Sequence, residues 1–278
     1  MTIVKYYTNP SVSRYFFIFT ILLFSTSLYS SPRISKHNVK KIIRNGNLSE
    51  VTLLINKVPD MNKTFYGDKN LLHWAIWYNR FSVVKLLVSK GANVNEVDKD
   101  NRSPLCMSTS TYSRNDSTSE FLINNNADPN ISSLWGYPTI LNVARMGQYG
   151  ASNEYLFKLL LDKGAEIDVT GCGTASLFLT CCGWGTPKML QYLLDKGVSV
   201  NETDGYSRNG LAYAIIKLPG SIYVEPKKYA NRRIDVINFL IEKGIDLNHK
   251  DVYGKDINNY AWDYGNEEIR DALTKYLK

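Results

Sequence analysis

The residues able to do chemistry are few and scattered. The 278-residue chain has three histidines, His37, His73 and His249, spread far apart along it. A zinc hydrolase would show two histidines one helical turn apart around a glutamate, and an acyl-transfer elbow would show G-x-S-x-G; neither order occurs. The glycines of GCGTASLFLTCCGWGTPK (171–188) suggest a phosphate cradle. They lack the G-x-x-x-x-G-K-[ST] order and a preceding strand, which excludes that reading. The four cysteines, Cys106, Cys172, Cys181 and Cys182, form an even set that permits three full connectivities. Cys181 and Cys182 are adjacent, so on a helix they point to different sides. Cys172 falls in the turn before that helix, and a bridge to it would require the two sites to lie close together. Free thiols are the expectation and a disulfide the alternative. No catalytic residue, metal site or cofactor is expected.

The elements that would position any site repeat along the chain. The phrase LLVSKGANVNEVD (86–98) returns as FLINNNADPN (121–130), LLLDKGAEIDVTG (159–171), LLDKGVSVNETD (193–204) and FLIEKGIDLNHKD (239–251). Each copy is an apolar helix end, then Gly or Asn, then a polar turn. The anchors are Gly91, Asn126, Gly164, Gly197 and Gly244, where a helix ending in a left-handed residue needs little or no Cβ penalty. Ahead of each anchor the apolar spacing is helical: Phe81, Val84, Leu87 and Val88 in one copy, Ile234, Ile237, Leu240 and Ile241 in another. A shorter helix precedes each, such as 71–79. A single helical hairpin cannot bury both faces, so neighbours must stack. The pattern predicts an all-α solenoid of about seven helix-turn-helix units with short turn tips. Units begin near residues 35, 67, 99, 135, 172, 205 and 252, the outer two acting as caps. The 44% hydrophobic content is enough for a folded core.

Within these units, Asn70-Leu71-Leu72-His73-Trp74-Ala75, Ser103-Pro104-Leu105-Cys106 and Asn209-Gly210-Leu211-Ala212-Tyr213-Ala214 are related segments. They resemble the T-P-L-H-x-A signature of ankyrin repeats. RNGNLSEVTLLI (44–55) is similar to a first repeat of that family and YGKDINNYAWDYGNEEIRDAL (253–273) to a last one. The resemblance covers roughly 35–278. Anchor separations of 35, 38, 33 and 47 compare with a family period of about 33, so the last interval carries the largest insertion. The resemblance implies that His73 ties one turn to the next. It also implies that Cys106, in the histidine slot, and Cys181, near the slot of Ala75 and Ala214, are buried packing residues.

The N-terminal segment reads differently. Lys5 and Arg14 precede YFFIFTILLF (15–24), and small residues follow. That order is a secretory signal, expected over residues 1–30 and cleaved near Ser27 or Ser30. An uncleaved membrane anchor is the alternative, although the apolar run is short for a span of about 20 residues. An exported protein is expected, periplasmic or secreted in a bacterial setting, with no membrane span after cleavage. The formal charge is +7, and Lys5 and Arg14 contribute two of those charges. No block of like charge forms a nucleic-acid arm. The mild positive balance favours an acidic partner patch.

In ankyrin-like stacks, turn tips and first-helix ends line one concave face. The resemblance therefore implies a protein-binding surface at Trp77, Tyr78, Arg145, Met146, Trp184, Lys217 and Tyr264, with Gly183, Ile216 and Asp263 beside them. Large aromatics with Arg and Met suit an interface centre. The insertion between Lys217 and Arg233 adds Tyr223, Lys227, Lys228 and Tyr229, and insertions on one face of an array often mark the binding side. The expected function is non-enzymatic protein binding by a monomer, with a periplasmic immunity or inhibitor protein as the alternative.

Overall fold

A computed structural model describes residues 35–58, 60–64, 69–110, 115–131, 138–146, 153–170, 175–216 and 226–276. Fourteen helices fall within them, in seven consecutive pairs, with no strand longer than an isolated bridge. The pairs are α1 (Lys36–Asn45) with α2 (Leu48–Lys57), α3 (Leu71–Trp77) with α4 (Phe81–Ser89), and α5 (Pro104–Ser108) with α6 (Asp116–Asn124). Then follow α7 (Thr139–Arg145) with α8 (Glu154–Asp162) and α9 (Leu177–Trp184) with α10 (Pro187–Asp195). The last are α11 (Gly210–Ile215) with α12 (Pro226–Glu242) and α13 (Ile257–Tyr264) with α14 (Glu267–Leu273). First helices pack on first helices and second on second, giving two layers with one continuous core between them.

Local chemistry starts and stops these helices. Asn70, Ser103, Asn115, Asn153, Ser176, Thr186 and Asn209 each cap a helix by accepting a first-turn backbone N–H. At the other end all five anchors are left-handed: φ is 89° at Gly91, 65° at Asn126, 84° at Gly164, 90° at Gly197 and 81° at Gly244. The residue after each anchor donates back to the carbonyl of Leu87, Leu122, Leu160, Leu193 or Leu240, closing a Schellman-type cap. Those five leucines are fully buried, so one sequence phrase sets both the helix end and the core position beneath it.

The units are also stitched side by side. Asn95 accepts from the Asp128 N–H at 2.8 Å, Asn130 from Glu166 at 2.9 Å and Asn201 from Asp246 at 2.8 Å. His73 is fully buried; its Nε2 donates to the Arg102 carbonyl at 3.0 Å and its Nδ1 lies 2.8 Å from Asn70 Oδ1. It ties one turn to the next, as the family resemblance implies. Burial holds its pKa below the ordinary value, against the opposing pull of the Arg102 carbonyl and the Asp98 charge. The Arg80 guanidinium donates to the carbonyls of Ile43 at 3.2 Å, Arg44 at 2.5 Å and Gly46 at 2.6 Å, closing the C-terminal end of α1.

The insertion is partly helical. Helix α12 runs for 17 residues, against nine in each of α4, α6, α8 and α10. Its first turns therefore extend the second helix of that unit rather than forming only a loop.

Candidate protein-binding face

The first-helix face is built from buried aspartates outward. Asp98, Asp204 and Asp251 each occupy a turn tip, where one carboxylate oxygen accepts the backbone N–H groups two and four residues on. The third residue on is left-handed: Asn101, Ser207 and Gly254 have φ of 55°, 59° and 76°. The fourth is a cation, Arg102, Arg208 or Lys255. Arg102 and Arg208 pair with their own aspartates at 2.8 and 2.6 Å, while Lys255 pairs with Asp263 at 2.7 Å. The second oxygen of Asp204 accepts the Tyr213 hydroxyl at 2.9 Å, and that of Asp251 accepts Tyr260 at 2.6 Å. Burial alone would raise these three carboxyl pKa values. The donors around each outweigh it and hold all three below the usual carboxylate range.

Two aromatic clusters stand on this frame. At the N-terminal end, Trp74 and Tyr78 stack with centroids 5.7 Å apart and planes 17° apart. The Lys40 Nζ lies 4.6 Å from the Trp74 ring centre, and the Arg44 guanidinium 5.5 Å from that of Tyr78. Lys69 reaches both Trp74 and Trp77, at 5.9 and 5.8 Å. Trp77 remains 43% exposed, while Ala75 and Ile76 beside it are buried in the core. At the C-terminal end, Tyr206 and Tyr253 stack at 6.4 Å, and Tyr260 and Tyr264 approach at 6.0 Å. These rings, with Arg208 and Lys255, line an open groove of about 450 Å³ between the last two units. Tyr253 is 73% exposed at its rim.

The structure sorts the expected binding residues. Trp77 is exposed and Tyr78 is half-buried against Trp74; Tyr264 belongs to the second cluster, and Arg145 is half-buried at the end of α7. Met146 and Trp184 are corrected: each is only 5% exposed and unavailable to a partner. The reason is the position of α9 between α7 and α11, which buries every residue from Leu177 to Trp184. Lys217 and Tyr223 lie outside the described residues. Lys227, Lys228 and Tyr229 fall on the first turns of α12, with their side chains outside the described set. Sequence reasoning missed Trp74, Tyr206, Tyr253, Lys40, Arg44 and Lys69. The signal for the tips was available: an aspartate followed three residues later by Asn, Ser or Gly and four later by Arg or Lys.

Cys106, Cys181 and Cys182 are free and buried, and Cys172 lies outside the described residues. Burial pushes the Cys106 thiol up to about 11 and raises those of Cys181 and Cys182 well above the ordinary thiol value. A nucleophilic or metal-binding cysteine requires the opposite shift. Among the described residues, no three His, Cys, Asp or Glu side chains gather to hold a metal ion, and no helix is long and apolar enough to cross a membrane.

A family model for ankyrin repeats in three copies matches residues 41–133. Among solved structures, the human ASB11 ankyrin repeat domain covers 86% of this chain and 97% of its own, with a TM-score of 0.63 and 18% identity. Ankyrin repeats are present here, and the fold is their solenoid. A chain in the complex of the predatory endopeptidase Bd0816 from Bdellovibrio bacteriovorus with immunity protein Bd3460 shares the fold. It covers 74% of this chain and 97% of its own, with a TM-score of 0.56 and 19% identity. Palmitoyltransferase AKR1 of Lachancea kluyveri is 25% identical over 232 residues, 81% of this chain and 28% of that protein. A Danio rerio protein described as palmitoyltransferase ZDHHC13 is 26% identical over 227 residues, 78% of this chain and 32% of that protein. The chain thus spans about a third of the length of these curated relatives. Ankyrin repeats imply protein partners.

Proposed function

We propose that this chain is a non-enzymatic protein-interaction module that binds through the face of its first helices and turn tips. The carrying observation is the exposed Trp77, displayed beside the Trp74–Tyr78 stack while Ala75 and Ile76 make the core contacts. Exposed aromatics that are rigidly held and flanked by cations are what binding hot spots use. The buried, high-pKa thiols support the non-enzymatic part of the reading. The test compares Trp77→Ala with the parent protein in thermal unfolding and in affinity purification from the native source. Loss of about 2 kcal/mol of binding, roughly thirtyfold, with unchanged melting is the expected outcome. Unimpaired binding, or a stability loss of about 3–5 kcal/mol, would reject it.

Export is part of the same proposal. It rests on the basic, apolar, small-residue order of residues 1–31. A mature N-terminus between Leu28 and Arg33 is expected by intact mass on envelope fractions; a full-length cytosolic product would overturn it.

A further inference from the structure

The two aromatic clusters carry different electrostatics. In the C-terminal groove each cation has its own carboxylate: Arg208 pairs with Asp204 and Lys255 with Asp263. At the N-terminal end, Lys69 shares the buried Asp98 with Arg102, at 3.6 Å from it. Lys40, Lys41 and Arg44 make no ion pair with any described acidic residue. Helix α1, KHNVKKIIRN, contains no acid at all. Its buried side is Val39 and Ile43, which leaves Lys40, Lys41 and Arg44 exposed. The rings of Trp74 and Tyr78 lie under Lys40 and Arg44, and Arg80 anchors the end of α1 against α3 and α4. The platform therefore presents, over the Trp74–Tyr78 stack, cations that no described acid neutralises, with the exposed Trp77 on the same helix.

From this charge pattern we infer that the N-terminal end of the face takes an acidic protein segment carrying a large apolar side chain. Carboxylates of the segment meet Lys40, Lys41 and Arg44, and the apolar side chain packs on Trp77. Cations seated on ring faces are already positioned, so little side-chain freedom remains to be lost on binding. A neutral segment gains nothing from them, and a basic one is repelled. The inference rests on the interaction-module reading and gives it a partner chemistry.

The experiment uses the full chain and fluorescein-labelled peptides of about ten residues. One is rich in Asp and Glu with a central Leu-Trp, a second has Asn and Gln in place of the acids, and a third has Lys. Fluorescence anisotropy is read at low and physiological salt. The acidic peptide is expected to bind best, and to weaken as salt rises through the screening range. The double variant K40E/R44E should lose at least about tenfold in affinity. K243E, remote on the turn after α12, should not, and melting of both should match the parent. Equal binding of the Asn/Gln peptide, or an unaffected K40E/R44E, overturns the inference. Stronger binding to phosphatidylserine vesicles than to the acidic peptide overturns it in favour of a membrane surface. Concentration-dependent self-association abolished by K40E/R44E overturns it in favour of a second copy of the chain. If Trp77→Ala loses native partners while no acidic peptide binds, the acidic-segment inference fails and the module reading stands.

Discussion

The Tyr260 hydroxyl donates to the Asp251 carboxylate across 2.6 Å, and Tyr213 stands in the same relation to Asp204, again nine residues on. Each tyrosine comes from a first helix and each aspartate from the turn tip before it. The bond fixes the tip to the helix and sets the rings of the C-terminal groove. Tyr260→Phe removes the donor and leaves a buried carboxylate short of one partner. A loss of about 1–3 kcal/mol is expected in chemical denaturation, with Tyr253 accessibility rising as the tip loosens. Unchanged stability would show that the bond does not hold the tip.

Acid should unfold the stack in two windows. His73 has a folded pKa below its ordinary value of 6.5, so the unfolded chain binds more protons there. Stability is then full above 6.5 and falls as pH drops below it, a loss that His73→Gln should flatten. Asp98, Asp204 and Asp251 have folded pKa values below their ordinary 3.8. Their contribution is present above 3.8 and is lost as pH falls from there through the folded values. Melting temperature measured from pH 8 to pH 2 checks both; a profile flat to pH 3 would contradict the His73 assignment.

The buried thiols should react slowly. Cys106 is raised to about 11, so little thiolate exists near neutral pH. Native alkylation is expected to leave Cys106, Cys181 and Cys182 largely unlabelled, and denaturation without reductant to label all three. A requirement for reductant would show a disulfide and contradict the free-thiol assignment.

Gly210 tests packing between units. A Cβ there would lie 2.8 Å from Cys182 Sγ, with Leu240 and Ile245 side-chain carbons at 3.4 and 3.5 Å. Gly210→Ala should destabilise by about 1–3 kcal/mol through overpacking. Cys182→Ala opens the space, so the double variant should recover part of that loss. Purely additive losses would place the strain elsewhere.

Much of the fold is legible in sequence because the chain states it repeatedly. The Gly and Asn anchors dictate left-handed helix ends, and the leucine four residues earlier dictates the core. Burial of an individual first-helix end is not legible in the same way. Trp77 and Trp184 both end first helices, yet only Trp77 is exposed, since Trp184 belongs to a helix covered on all sides by α7, α11 and its own partner α10. That outcome depends on neighbours in the stack rather than on local spacing. Tyr206 and Tyr253 were hidden for another reason. They sit in irregular tips whose register becomes clear only once Asp204 and Asp251 are seen as the residues organising them.

The long helix α12 gives the array an asymmetry that its repeated phrase lacks. Units with interchangeable ends can pair with the wrong neighbour during folding, a hazard of repeat chains. A second helix nearly twice the usual length distinguishes the sixth unit from its neighbours, so an exchange of that unit with another would leave the added turns without an equivalent in the layer.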